Sequence, residues 1–110
     1  MDVFTTAGLL SGLAPDRRDF AEFFRSPSGS LSMTVSRRPV GVPDDQPPHT
    51  EDEVYQVLGG RARLVVGRES SPMTAGSIAF VPAGTEHRFV EVTEDLELLI
   101  FWSPARHSRG

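Results

Sequence analysis

A chain of 110 residues with 15 acidic side chains, 11 basic ones and a formal charge of −4 is sized for one domain with a real core. It lacks the positive stripe that displaces counterions from a nucleic-acid backbone. There is no cysteine, which removes disulfides, thiolate ligands and a thiol nucleophile together, so any metal must be held by imidazole, carboxylate or water. All the basic residues are arginine, which excludes Schiff-base and lysine general-base chemistry and points to a bacterial genome rich in G and C.

No apolar run approaches the roughly 20 residues of a membrane helix, and the first twenty residues lack the basic region that precedes a signal-peptide core. The expectation is a cytoplasmic protein with neither membrane nor nucleic-acid partners. Nine prolines and ten glycines punctuate short apolar runs, the pattern of strands joined by tight turns.

In chain order, residues 1–27 read as an N-terminal arm with one short helix. The helix is expected over residues 15–25, where Phe20, Phe23 and Phe24 fall at i, i+3 and i+4 behind an acidic start and ahead of Ser26-Pro27. A β-barrel is expected over residues 28–104. Leu31, Met33 and Val35 alternate with Ser32, Thr34 and Ser36, which implies one buried face, and Arg37 continues its parity. With Arg38 adjacent, a slip of one residue would turn Arg37 outward.

Strands follow at residues 53–58 and 61–66, with Gly59-Gly60 read as the hairpin turn between them. Three more are expected at residues 76–81, 87–92 and 96–102, the last apolar on both faces. Six or more strands spaced in this way make a β-sandwich or small barrel. The polar tail, residues 105–110, carries His107 and is expected to be disordered.

The chemistry concentrates in residues 41–60 and 76–91, each with one histidine among acids, prolines and glycines. After Pro47-Pro48, an extended backbone aims His49, Glu51 and Glu53 to one side, and Tyr55 and Val57 continue that face. Glu51 also fits a solvated turn acid, Glu53 an exposed acid at a strand entrance, and His49 and His87 core histidines bonded to backbone. Glu91 shares the parity of His87 and Phe89, but equally fits a surface ion pair with Arg88 or Arg63. Pro82 and Gly84 read as a turn presenting His87 to the interior. The inward residues by parity are Met33, Val35, Arg37, Tyr55, Val57, Phe80, Phe89, Ile100 and Trp102, which describes a mostly apolar pocket or simply a filled core. An inward Arg37 would need an anion, from Glu53 or a carboxylate substrate.

The two segments run Gly41, Pro47, His49, Glu53, Gly60 and Gly76, Pro82, Gly84, His87, Glu91. This spacing resembles the paired motifs of the cupin superfamily, G-x5-H-x-H-x3,4-E-x6-G and G-x5-P-x-G-x2-H-x3-N. Pro47 stands where the family has its first histidine, and Glu91 where it has the terminal asparagine. The resemblance implies an all-β, double-stranded β-helix: a small single-domain cupin of the RmlC-like, conserved-barrel type. It implies one divalent metal ion (Fe, Mn, Ni or Zn) held by His49, Glu53 and His87; Glu51, on the face of His49 and Glu53 by alternation, is the residue that could replace the missing histidine as fourth ligand. The resemblance also implies a homodimer.

The function expected from the resemblance is a metal-dependent enzyme of dioxygenase, isomerase or lyase type acting on a small, carboxylated organic molecule. Tyr55 or Glu51 would serve as acid/base and Arg37 as substrate anchor. The alternatives are a non-catalytic small-molecule binding or sensing module and a metal-free acid/base isomerase. Fold alone does not choose among them.

Overall fold

A computed structural model describes residues 1–44 and 46–107. One helix, α1 (Thr6–Ser11), is followed by six strands: β1 (Asp19–Arg25), β2 (Ser32–Arg38), β3 (Asp52–Val66), β4 (Glu69–Thr74), β5 (Ile78–Val81) and β6 (His87–Ser103). All pairings are antiparallel. The order is β1-β2-β6-β3-β4, with β5 on β3. This is the all-β double-stranded β-helix that the motifs implied, and no helix among the described residues is long and apolar enough to cross a membrane.

β3 and β6 are long enough to run through both halves of the barrel. The first part of β3 pairs with β5 and the end of β6, and its second part pairs with β4 and the start of β6. Between these halves the register shifts at Val57/Gly59, Gly59/Arg61 and Arg61/Arg63. Gly59-Gly60 is therefore a bend within one strand and not a hairpin turn. Gly60, at φ 94°, lets the two backbones close in where β3 crosses β6.

The helix expected over residues 15–25 is absent, and β1 occupies most of that stretch. The cause is a β-bulge between Glu22 and Phe24. A bulge inserts one extra residue and breaks the two-residue alternation, so phenylalanines at helical spacing sit in a strand. Phe4 of the N-terminal arm packs edge-on against Phe23 at 5.0 Å and Phe24 at 6.4 Å. α1 lies earlier, capped by Thr5, whose side chain accepts from Gly8 N–H. β1 thus extends the sheet to residue 19. At the other end Ala105 is buried, its N–H donating to the Gly29 carbonyl at 2.9 Å, and Arg106 N–H donates to Ser32 Oγ at 2.9 Å. Residues 105–107 are therefore laid against the barrel, and the remainder of the tail expected to be disordered lies outside the described residues.

The core joins Tyr55, Val57, Leu64, Phe89, Leu96, Leu98 and Ile100 across β3 and β6. Val57→Ala is expected to cost about 2 kcal/mol, from the lost methyls and the void they leave, read as a shift of the urea midpoint with unchanged slope.

β2 is turned the other way from the expectation. Ser32, Thr34, Ser36 and Arg38 are buried toward the interior, whereas Arg37 leaves it. Arg37 donates from Nη1 to the Leu13 and Ala14 carbonyls at 3.3 and 3.1 Å and pairs through Nη2 with Glu97 at 3.0 Å. The apolar face of β2, which includes Val35, is the opposite one. The N-terminal segment covers that side of the strand, so Val35 is buried outside the barrel and Met33 half-buried. Phe80, also expected inward, is 60% exposed.

Candidate metal centre

His49 stands in the loop that enters β3. Its carbonyl accepts from Gly84 N–H at 2.7 Å, and Asp52 Oδ1 accepts from Ala83 N–H at 2.9 Å, so the 82–84 turn clamps the loop from the far side. Gly84 adopts φ 74°, the left-handed conformation that the turn requires. Glu51, just ahead of β3, and Glu53, Tyr55 and Val57 within it are then buried on one face, as the alternation predicts.

His87 begins β6. Its Nδ1 is 2.9 Å from the Thr85 carbonyl, which can only accept, so Nδ1 carries a proton, and in the neutral ring Nε2 is the nitrogen with the lone pair. The Tyr55 hydroxyl donates to that Nε2 at 3.0 Å, and Glu53 Oε1 lies 3.5 Å from it. One ligand atom from each of His49, Glu53 and His87 lies within 4.8 Å of the other two.

These residues fit a divalent cation. Glu53 is 1% exposed and its Oε2 is buried with no partner, a costly arrangement for a carboxylate unless a cation answers it. Burial pushes the Glu53 carboxyl up, with Tyr55 and His87 opposing that rise. Burial, with His87 and Arg106 nearby, holds His49 down at about 4, so its imidazole is neutral and able to ligate. Burial and the neighbouring Glu53 raise the Tyr55 phenol well above its usual range, and it stays a proton donor.

Beside the cluster is a cavity of about 400 Å³ whose wall includes His49, Glu51, Thr34, Ser36, Ile100 and Trp102, together with Arg18, Arg38 and Arg106. His49 is the ligand that reaches it, packing edge-on against Trp102 at 4.7 Å. Glu51 is buried in this wall, with Thr50 Oγ1 donating to its Oε2 at 2.6 Å. It lies outside the three-residue cluster, so the position lost at Pro47 is not filled by Glu51 here. Tyr55 backs the cluster and does not line the cavity, and Arg37 is remote from both. Glu91 makes the surface ion pair, with Arg63 at 3.3 Å, and takes φ 50°, a conformation that asparagine enters more readily than glutamate.

Gln46, Arg18, Arg38, Asp44 and Arg106 were not singled out from the sequence. Arg38 pairs with Asp44 at 2.9 Å, both nearly buried, and lies over the Phe89 ring at 5.1 Å. Asp44 Oδ2 also accepts from Phe89 N–H at 2.8 Å, which bolts the loop to β6. With its amide oriented to satisfy its neighbours, Gln46 donates to His49 Nε2 at 3.1 Å and accepts from Arg38 at 2.8 Å and from Arg18. The signal available for Arg38 was the alternate parity of β2. Arg106 had none, because only tertiary folding returns the tail to the barrel mouth.

The sequence matches the family described as "Cupin domain" over residues 33–103. The chain belongs to the cupins. It is also 41% identical over 75 residues to an uncharacterized protein of Streptomyces coelicolor, covering 68% of this chain and 71% of that one. Among solved structures, this cupin is similar to TT1209 from Thermus thermophilus (TM-score 0.71, 26% identity, 96% of this chain and 99% of that one). It is similar in fold to KdgF from Halomonas sp. (0.73, 18%, 84% of each chain). It is likewise similar in fold to the DMSP lyase DddQ from Ruegeria pomeroyi (0.72, 23%), of which it covers 54% with 92% of its own length.

Proposed function

We propose that this cupin is a metal-dependent enzyme of lyase or isomerase type that removes a proton next to the carboxylate of a small organic acid. One observation carries the reading: a buried carboxylate (Glu51), a guanidinium (Arg106) and a ligand of the candidate metal cluster (His49) line one cavity. The fold shared with a DMSP lyase adds support for the lyase class.

A divalent ion held by His49, Glu53 and His87 would polarise a substrate oxygen as a Lewis acid. Arg106 lies over the Trp102 and Phe20 rings at 5.3 and 5.5 Å, and no acid among the described residues forms an ion pair with it. Its planar fork is left to take a carboxylate. Glu51 accepts the proton from the adjacent carbon. The electron pair released then either expels a group from the next carbon, as in a lyase, or, where a double bond adjoins, is delocalised through it and reprotonated at its far end, as in an isomerase. The Thr85 carbonyl fixes the His87 imidazole from behind through Nδ1, and the Tyr55 hydroxyl, which donates to Nε2 in the metal-free protein, would be left to Glu53 once an ion took that lone pair.

The test is proton exchange. Protein loaded separately with iron, manganese, nickel or zinc is incubated anaerobically in D2O with small carboxylic acids, and exchange at the carbon beside the carboxylate is followed by NMR. Metal-dependent exchange, lost in Glu51→Gln and with KM raised about tenfold in Arg106→Ala, is the expected result. Turnover seen only with oxygen would replace this reading with an oxygenase.

A further inference from the structure

Two guanidiniums flank the inward face of β2. Ser32 Oγ, at its start, accepts from the Arg106 N–H, and the Arg106 guanidinium extends from there over Trp102 and Phe20, the residue paired with Ser36; Arg38 stands at the end of the face, six residues from Ser32. Thr34 and Ser36 lie between them, and both line the cavity. Successive side-chain contacts trace one path across it: Arg106 over Trp102, Trp102 against His49, His49 to Gln46, Gln46 to Arg38 and Arg18. His49, the cavity's link to the metal cluster, sits between the two basic ends.

The Arg38 end is short of negative charge. Among the described residues a single carboxylate, Asp44, answers two guanidiniums, Arg38 at 2.9 Å and Arg18 at 3.9 Å. Arg38 is 4% exposed, and its Nε–H is buried without an acceptor. Arg18 is the more accessible of the two and also lines the cavity. At the other end Arg106 has aromatic neighbours and no acid. A desolvated cation of this kind is stabilised by an anionic ligand, and a single carboxylate cannot satisfy both ends at once.

We propose that the substrate is a dicarboxylate, one carboxylate held by Arg106 and the other by Arg18 with Arg38 behind it. The reacting carbon then lies between them, beside His49 and Glu51. This rests on the acid–base reading above and narrows its substrate class.

The experiment is calorimetric titration at low salt of purified protein, its metal content measured on the same sample, with butyrate, succinate, glutarate and adipate. At least one dicarboxylate is expected to bind about tenfold tighter than butyrate. In Arg18→Ala that advantage should disappear while butyrate affinity is kept, because Arg18 is partly exposed and its loss leaves the Arg38–Asp44 pair in place. Equal affinity for butyrate and every dicarboxylate would overturn the dicarboxylate proposal and leave the acid–base reading standing, as would an Arg18→Ala variant that keeps the preference. Protein that takes up metal yet binds none of the four acids would overturn both.

Discussion

Glu53→Gln is expected to abolish metal uptake and, in the same molecule, to make the metal-free protein more stable. The carboxylate is the only charged ligand in the cluster, and its Oε2 is buried without a partner. Losing an outer-shell partner of a metal site already costs about 10–100-fold in affinity, and removal of a charged ligand exceeds that. Without metal the balance reverses, because an ionised, half-satisfied carboxyl in the interior costs about 1–3 kcal/mol or more. A neutral amide of the same shape escapes most of this. The measurements are elemental analysis after reconstitution and thermal melting after chelation, with His87→Ala as a second ligand variant. The metal assignment would not survive if Glu53→Gln retained one equivalent of metal. A lower melting temperature for the metal-free variant would show that some other group already satisfies Glu53.

Gly60→Ala is expected to be the most damaging single methyl in the chain. A Cβ built on Gly60 runs into the Asp95 carbonyl and lies 2.9 Å from Leu96 Cα, backbone atoms that move only if β6 does. The φ of 94° adds strain of about 1–3 kcal/mol for a residue with a side chain. Together these amount to at least ~4 kcal/mol, a large part of the roughly 5–15 kcal/mol that holds a domain together. The expected readout is a melting temperature lowered by about 15 °C or failure to fold, followed by circular dichroism. Gly67→Ala is the control, since Gly67 also has a positive φ, 57°, but open space around its Cβ position. If both variants lose the same stability, the close crossing of β3 and β6 is not the constraint.

The lost first histidine makes the cluster differ from the full cupin pattern without dissolving it. What surrounds it is not another metal ligand but a hydrogen-bonded network in which Gln46 donates to His49 and Tyr55 donates to His87. In the metal-free protein these two donors occupy the imidazole lone pairs, and a metal ion on either nitrogen would displace its donor. Neither donor would be placed by ligand spacing, because each acts through a histidine.

The sequence by itself determined the barrel and the three-residue cluster, because both rest on short-range geometry. A two-residue period fixes which side chains share a strand face, so His49, Glu53, Tyr55 and Val57 could be aimed inward from their spacing. The Pro82 to Gly84 turn followed in the same way from the conformations those residues allow. Only the tertiary structure decided what each face meets. β2 turned its hydroxyls and Arg38 inward because the interior there is a polar site and its apolar face is covered by the N-terminal segment. The phenylalanines of β1 carried a helical period because a bulge interrupts the strand. Arg106 joined the cavity because the chain end returns to Ser32 at the barrel mouth. Period and propensity describe one segment at a time, whereas burial is a property of what packs against it.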